Sequence, residues 1–174
     1  YGIRKEAGAR FATLFFVRPH GATPWDYWLI HLSNRYKAHE VMKNLHWANA
    51  TSFGHELEPG VFMQGYDANR DHEYTGQETF DFGDASRDAC ISGIHEHFGR
   101  HIFAESGPVR LRDLIERFAA QSPGSTRHFI QAARNLHGSR DVVICAPDGR
   151  PLRPAKTYHL DCTIEAARTL RLIP

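Results

Sequence analysis

Arg127, Gln131 and Arg134 stand at i, i+4 and i+7, with Asn135 beside them, in a stretch whose apolar residues Phe129, Ile130, Ala133 and Leu136 repeat at helical spacing. On one helix the two sets fall on opposite faces. Arginine can donate two hydrogen bonds to a guanine edge, and glutamine or asparagine can pair with adenine. Arg150, Arg153 and Lys156 follow in and after the turn Pro147-Asp148-Gly149-Arg150-Pro151, and cations in such a place suit phosphate oxygens. The chemistry expected of these seven residues is binding of DNA or RNA. The competing expectation is a protein-docking or dimerisation face, because polar residues opposite an apolar stripe are what any surface helix carries.

Other clusters invite bond-breaking or metal chemistry, and each falls short. His95, His97 and His101 lie in IHEHFGRH; His97 and His101 are four apart, the spacing of two metal ligands on a helix, and Glu96 sits between His95 and His97. The order differs from HExxH and no third ligand is evident, so an exposed polar face is the plainer reading. Asp67, Asn69, Asp71 and Glu78 occupy four positions of a calcium-loop pattern, yet His72 stands where the sharp turn needs glycine. His31, His39 and His46 surround one predicted helix and read as half-buried packing residues. No GxGxxG, GxxxxGK[ST] or GxSxG is present, and there is no complete catalytic constellation. No catalytic residue, resident metal or cofactor is assigned within this chain.

The chain of 174 residues fits one domain or two small ones. Its net charge of +1 conceals an asymmetry: Tyr1–Glu105 holds 10 basic and 14 acidic residues, and Ser106–Pro174 holds 11 and 6. A basic half is what a polyanion-binding module would show. No apolar run approaches the roughly 20 residues of a membrane span, and no leader pattern opens the chain. The three cysteines, Cys90, Cys145 and Cys162, form no CxxC pair and suit a reducing, cytoplasmic compartment as buried apolar residues; Cys145 and Cys162 are placed to face each other across a hairpin. The start at Tyr1 reads as that of a fragment or processed chain.

The elements that must position these residues follow from periodicity and turn signals. Arg10–Arg18 and Trp25–Leu32 read as strands of an antiparallel hairpin. Ser33 or Asn34 caps a helix over 35–48, with Ala38, Val41, Met42 and Leu45 as its apolar stripe. Val61–Met63 reads as a short strand and 68–84 as an acidic loop. Then come a helix over 85–104 with the stripe Ile91, Ile94, Phe98 and Ile102, a one-residue bridge at Val109, and a helix over 111–120 carrying Leu111, Leu114, Ile115 and Phe118. Ser122-Pro123-Gly124 turns the chain into a third helix, capped by Ser125 and ended by Gly138. Asp141–Ala146 and Lys156–Thr163 read as two strands. That order is the order of a winged helix, whose third helix usually enters the major groove. The expected fold is α+β: a strand hairpin with helices over 1–84, and a winged helix-turn-helix over 85–174.

The run YWLIHLSNRYKAHEVMKNLHW (Tyr27–Trp47) resembles the three-Cys-motif partner (TcmP) family: an aromatic-rich strand, a small polar break, then a helix with a KxxxVM-like core. The preceding AGARFATLFFVRP and the Gly65-Tyr66-Asp67 triplet look like further counterparts. The resemblance implies a bacterial, possible defence-linked setting. It also implies a methyltransferase-like, Rossmann-type domain, of which the hairpin would be the last strands or an appendage, followed by a winged helix. A radical-SAM-like three-Cys-motif protein would be a partner, and homo-oligomers are a further possibility. Any S-adenosylmethionine loop would lie upstream of Tyr1, so the resemblance puts methyltransferase chemistry on no residue here.

Overall fold

A computed structural model describes residues 2–19, 27–49, 53–57, 84–154 and 158–167. The protein is α+β, and the described residues form two three-stranded antiparallel sheets. The chain divides into two compact units, one of Tyr1–Cys90 with Phe118–Ser125, the other of Ile91–Arg117 with Thr126–Pro174. No helix among the described residues is long and apolar enough to cross a membrane.

In the first unit, the short helix α1 (Gly2–Glu6) precedes β1 (Phe11–Pro19) and β2 (Tyr27–Ser33), which pair antiparallel from Phe11↔Ser33 to Val17↔Tyr27. The expected hairpin is therefore present. A third strand, β3 (Phe53–Leu57), adds to the other edge of β1, so the sheet order is β2-β1-β3. Its sequence FGHEL is short, contains glycine and shows no clear alternation, which hid it from pattern reading. The expected strand Val61–Met63 and the acidic loop 68–84, apart from Asp84, lie outside the described residues.

Helix α2 (Tyr36–Asn49) forms where the spacing predicts one, but it is turned the other way. Val41 and Leu45 are more than half exposed and Ala38 is exposed, whereas His39, Lys43 and Trp47 are buried. These three stand at i, i+4 and i+8, so the helix buries a face bearing two basic side chains. The expected caps also act elsewhere. Ser33 Oγ accepts from the Arg35 amide at 3.0 Å and Asn34 Oδ1 accepts from the Arg10 amide at 2.8 Å. The first helical acceptor is the Arg35 carbonyl.

The second unit takes most of α3 (Asp84–Ala104) and α4 (Leu111–Ala119), with β4 (Val109–Arg110), α5 (Thr126–Gly138), β5 (Val142–Cys145) and β6 (Thr163–Ala166). Its core follows the expected stripes: Ile94, Phe98, Ile102, Leu111, Leu114, Ile115, Phe129 and Leu136 are all buried. Ile91 and Phe118 are only half-buried. Phe98 and Phe129 meet at 5.4 Å between ring centroids. The sheet order is β4-β6-β5, so the two-residue β4 pairs with the last described strand through Val109↔Ile164.

Two boundaries differ from expectation. The returning strand is Thr163–Ala166, later than the predicted 156–163, because His159–Cys162 makes a turn in which the Cys162 amide donates to the His159 carbonyl at 3.0 Å. Cys145 consequently stands opposite Thr163, one residue off Cys162, and all three cysteines are free thiols. Gly138 does not end α5 in a left-handed cap. That conformation falls on Arg140, at φ 64°. The Arg140 amide donates to the His137 carbonyl at 3.2 Å and the Asp141 amide to that of Leu136 at 3.0 Å, the paired bonds of a Schellman stop.

Candidate nucleic-acid interface

Helix α5 presents a narrow polar strip. Seven of its 13 residues are buried, including Phe129, Ile130, Ala133 and Leu136, as the periodicity requires. Arg127 and Asn135 are exposed, and Gln131 and Arg134 are half-buried between them. Their side chains are joined: Gln131 Nε2 donates to Asn135 Oδ1 at 2.9 Å, and Arg134 Nη1 reaches Gln131 Oε1 at 3.5 Å. Both ends of the Gln131 amide are thus engaged within the helix. Arg134 and Asn135 keep further N–H donors that these bonds do not use.

The turn after β5 carries the second group. Gly149 takes φ 83°, which glycine adopts without penalty, and its amide donates to the Ala146 carbonyl at 2.8 Å. Asp148 Oδ1 accepts from the Arg150 amide at 3.0 Å, and Cys145 bridges Pro151. This fixes the backbone from which exposed Arg150 and Arg153 project. Lys156 lies outside the described residues. The far end of the same excursion is fastened to the start of α4. The Leu111 and Arg112 amides donate to the Cys162 and Leu160 carbonyls, both at 2.8 Å, and Arg112 reaches Asp161 with two nitrogens at 3.2 Å. Those carbonyls satisfy helix-start donors that have no partner within the helix. At its base, His137 Nδ1 lies 2.8 Å from the Tyr158 hydroxyl, and both residues are buried. Burial lowers the His137 pKa from its ordinary value.

The arginines of this unit divide by position. Arg100, Arg110, Arg112 and Arg117 each lie within ion-pair distance of a carboxylate, those of Glu96, Asp113, Asp161 and Glu105. Arg127, Arg134, Arg140, Arg150 and Arg153 have no carboxylate partner among the described residues. Among the described arginines of this unit, those without a carboxylate partner belong to α5, the residue that ends it, and the turn after β5. Sequence reading had singled out four of these five. It missed Arg140 because a non-glycine residue in the left-handed region is not announced by any pattern.

The two histidines are each engaged by an arginine through Nε2. His97 Nε2 lies 3.0 Å from Arg100, and His101 Nε2 lies 2.6 Å from Arg117 and 3.2 Å from Glu105. Burial together with the Arg100 charge lowers the His97 pKa. Among the described residues no three histidine, cysteine or acidic side chains converge to hold a metal ion. The calcium-loop positions Asp67, Asn69, Asp71, His72 and Glu78 lie outside those residues.

A second constellation, in the first unit, was not foreseen. Lys43 is 1% exposed, and its ammonium donates to three carbonyls, those of Ala119, of Ser122 at 2.6 Å and of Gly124 at 3.0 Å. His39 Nε2 lies 3.1 Å from the Ala119 carbonyl, and Trp47 Nε1 donates to that of Pro123 at 2.9 Å. One face of α2 therefore serves the carbonyls of the segment joining α4 to α5. Burial pushes Lys43 down to about 7, opposed by the Cys90 sulfur, and pushes the Cys90 thiol up to about 11. Burial and the Lys43 charge bring His39 down to about 4. Buried backbone acceptors in an irregular segment need donors, which is the physical reason a lysine points inward here.

No protein-family model, curated protein or solved structure matches this chain.

Proposed function

We propose that the second unit is a winged-helix module that binds DNA or RNA through α5 and the turn after β5. The observation that carries this reading is the division of the described arginines of this unit: Arg100, Arg110, Arg112 and Arg117, before α5, are paired with carboxylates, and Arg127, Arg134, Arg140, Arg150 and Arg153 are not. Uncompensated guanidinium groups on adjacent elements are the footprint expected of a polyanion site. The order α3-β4-α4-α5-β5-β6 with sheet order β4-β6-β5 supports the winged-helix reading, with α5 as the helix that enters a groove. In this reading Arg134 and Asn135 face base edges, while Arg127, Arg150, Arg153 and Lys156 meet phosphates.

The test is fluorescence anisotropy of the full chain with a short DNA duplex and an RNA hairpin across a salt series. Affinity is expected to fall as salt rises, in proportion to the phosphates neutralised. Arg127→Ala and Arg134→Ala should each weaken binding about tenfold. Arg100→Ala and Arg110→Ala remove the same charge from paired, exposed positions and should change it less than about twofold. Absence of salt-dependent binding to either ligand, or equal effects at all four positions, rejects the reading. Lys37 is a further control, but Lys43 is not, because it is buried.

The TcmP-like run Tyr27–Trp47 adds a proposal about setting: a three-Cys-motif radical-SAM-like protein as partner. Copurification of the two proteins tests it. No residue of this chain is assigned to S-adenosylmethionine.

A further inference from the structure

The segment joining α4 to α5 directs the carbonyl oxygens of Ala119, Ser122 and Gly124 at one point, where Lys43 Nζ lies. An alkylammonium has three N–H donors and no acceptor, so three carbonyls complete it. A neutral amine has two donors and would leave one carbonyl facing a lone pair. The segment has internal supports that do not involve Lys43. The Gln121 amide donates to the Phe118 carbonyl at 3.0 Å, the Gly124 amide to Ser122 Oγ at 3.0 Å, and Trp47 holds the Pro123 carbonyl.

The titratable groups around the ammonium are His39 and, beyond it, His31, with Cys90 from α3. No carboxylate among the described residues pairs with Lys43. His39 is neutral at ordinary pH, since it is held down at about 4, and Cys90 is a protonated thiol. The positive charge is therefore met by main-chain dipoles alone, as in carbonyl-built cation sites.

We propose that the 119–124 segment is a binding site for a primary ammonium ion, and that Lys43 is its tethered occupant. The proposal does not rest on the nucleic-acid reading. Lys43→Ala deletes three carbons and the nitrogen, which is n-propylammonium in shape and charge. The variant should expose an empty, carbonyl-lined site that this ion can enter.

Thermal unfolding of the full chain at about pH 6 tests it, below the value of about 7 to which burial brings Lys43, so that the three-donor ammonium is the form in the site; wild type and Lys43→Ala are each measured against n-propylammonium, tetramethylammonium and 1-propanol at matched ionic strength. Saturating n-propylammonium should raise the midpoint of Lys43→Ala by about 5 °C and leave wild type unmoved. Tetramethylammonium has no N–H donor and 1-propanol has no charge, so neither should reproduce the shift. Lys43→Met keeps the stem in place and should be insensitive to all three. If the alanine variant fails to fold, its refolding yield with n-propylammonium replaces the midpoint, and no recovery overturns the proposal. An alanine variant as stable as wild type, or equal shifts with propyl- and tetramethylammonium, also overturns it.

Discussion

Thr13 Oγ1 lies 2.7 Å from Nδ1 of His39, and both residues are buried. The other ring nitrogen faces the Ala119 carbonyl, which can only accept, so Nε2 carries the proton and Nδ1 accepts from the threonine hydroxyl. Phe11 stacks on the same ring at 5.2 Å. The histidine is thus fixed in one neutral tautomer.

That neutrality sets a pH dependence. His39 binds a proton near pH 4 when folded and near 6.5 when unfolded. Between those values the unfolded chain holds the extra proton, so stability falls as pH drops through the window, by about 3 kcal/mol in all. Lys43, at about 7 folded against 10.5 unfolded, has the same sign and adds a rise in stability from pH 7 upward. Urea midpoints measured across pH should show both arms. His39→Gln should flatten the acidic arm, and Lys43→Met the alkaline one.

Lys43→Met should also lower stability at pH 7 by about 3 kcal/mol, because three buried carbonyls lose their donor. Relief of the buried charge offsets part of that loss. Chemical denaturation checks the value. A variant as stable as wild type would mean that water replaces the ammonium.

For the interface, removal of Arg150 or Arg153 should reduce the salt slope of binding by about 1 each, with little change in sequence preference. Arg134→Ala should instead relax discrimination between duplexes, because its guanidinium is held beside Gln131 on α5. Competition binding against a randomised duplex pool separates the two behaviours.

Arg140 holds φ 64°, which costs a side-chain-bearing residue about 1 kcal/mol relative to glycine. Arg140→Gly is expected to stabilise the protein by about that amount in urea unfolding. A loss of nucleic-acid affinity in the same variant would show why the strained residue carries an arginine.

Gly99 is a buried glycine inside α3, and a Cβ there would meet Leu136 at 3.8 Å and Phe103 at 3.9 Å, ordinary contact distances. Gly99→Ala should therefore stabilise by about 0.5–1 kcal/mol through helix propensity. Thermal melts of the two proteins decide it.

The second unit was largely legible because its signals were local and agreed with one another. The apolar spacing of Ile94, Phe98 and Ile102, and of Leu111, Leu114 and Ile115, matches the buried faces. The turn at Gly149 falls where Asp-Gly marks it. Helix α2 was misread in its orientation because hydrophobicity chose Val41 and Leu45, while the buried face was decided by carbonyls some 80 residues away in sequence, those Lys43 bonds at separations of 76 to 81. No spacing rule carries that information. The polar strip on α5 could be read from residue types, but its uncompensated charge could not. That property depends on which arginines find Glu96, Glu105, Asp113 and Asp161 in space.

The first unit borrows Phe118–Ser125 from the middle of the stretch that otherwise builds the second. No single cut of the polypeptide can therefore yield both units whole. A fragment ending at Cys90 would retain the Lys43 ammonium and lose every carbonyl that receives it. Such a split should yield insoluble or molten material, and recombination by swapping either half into another chain should fail at the same seam.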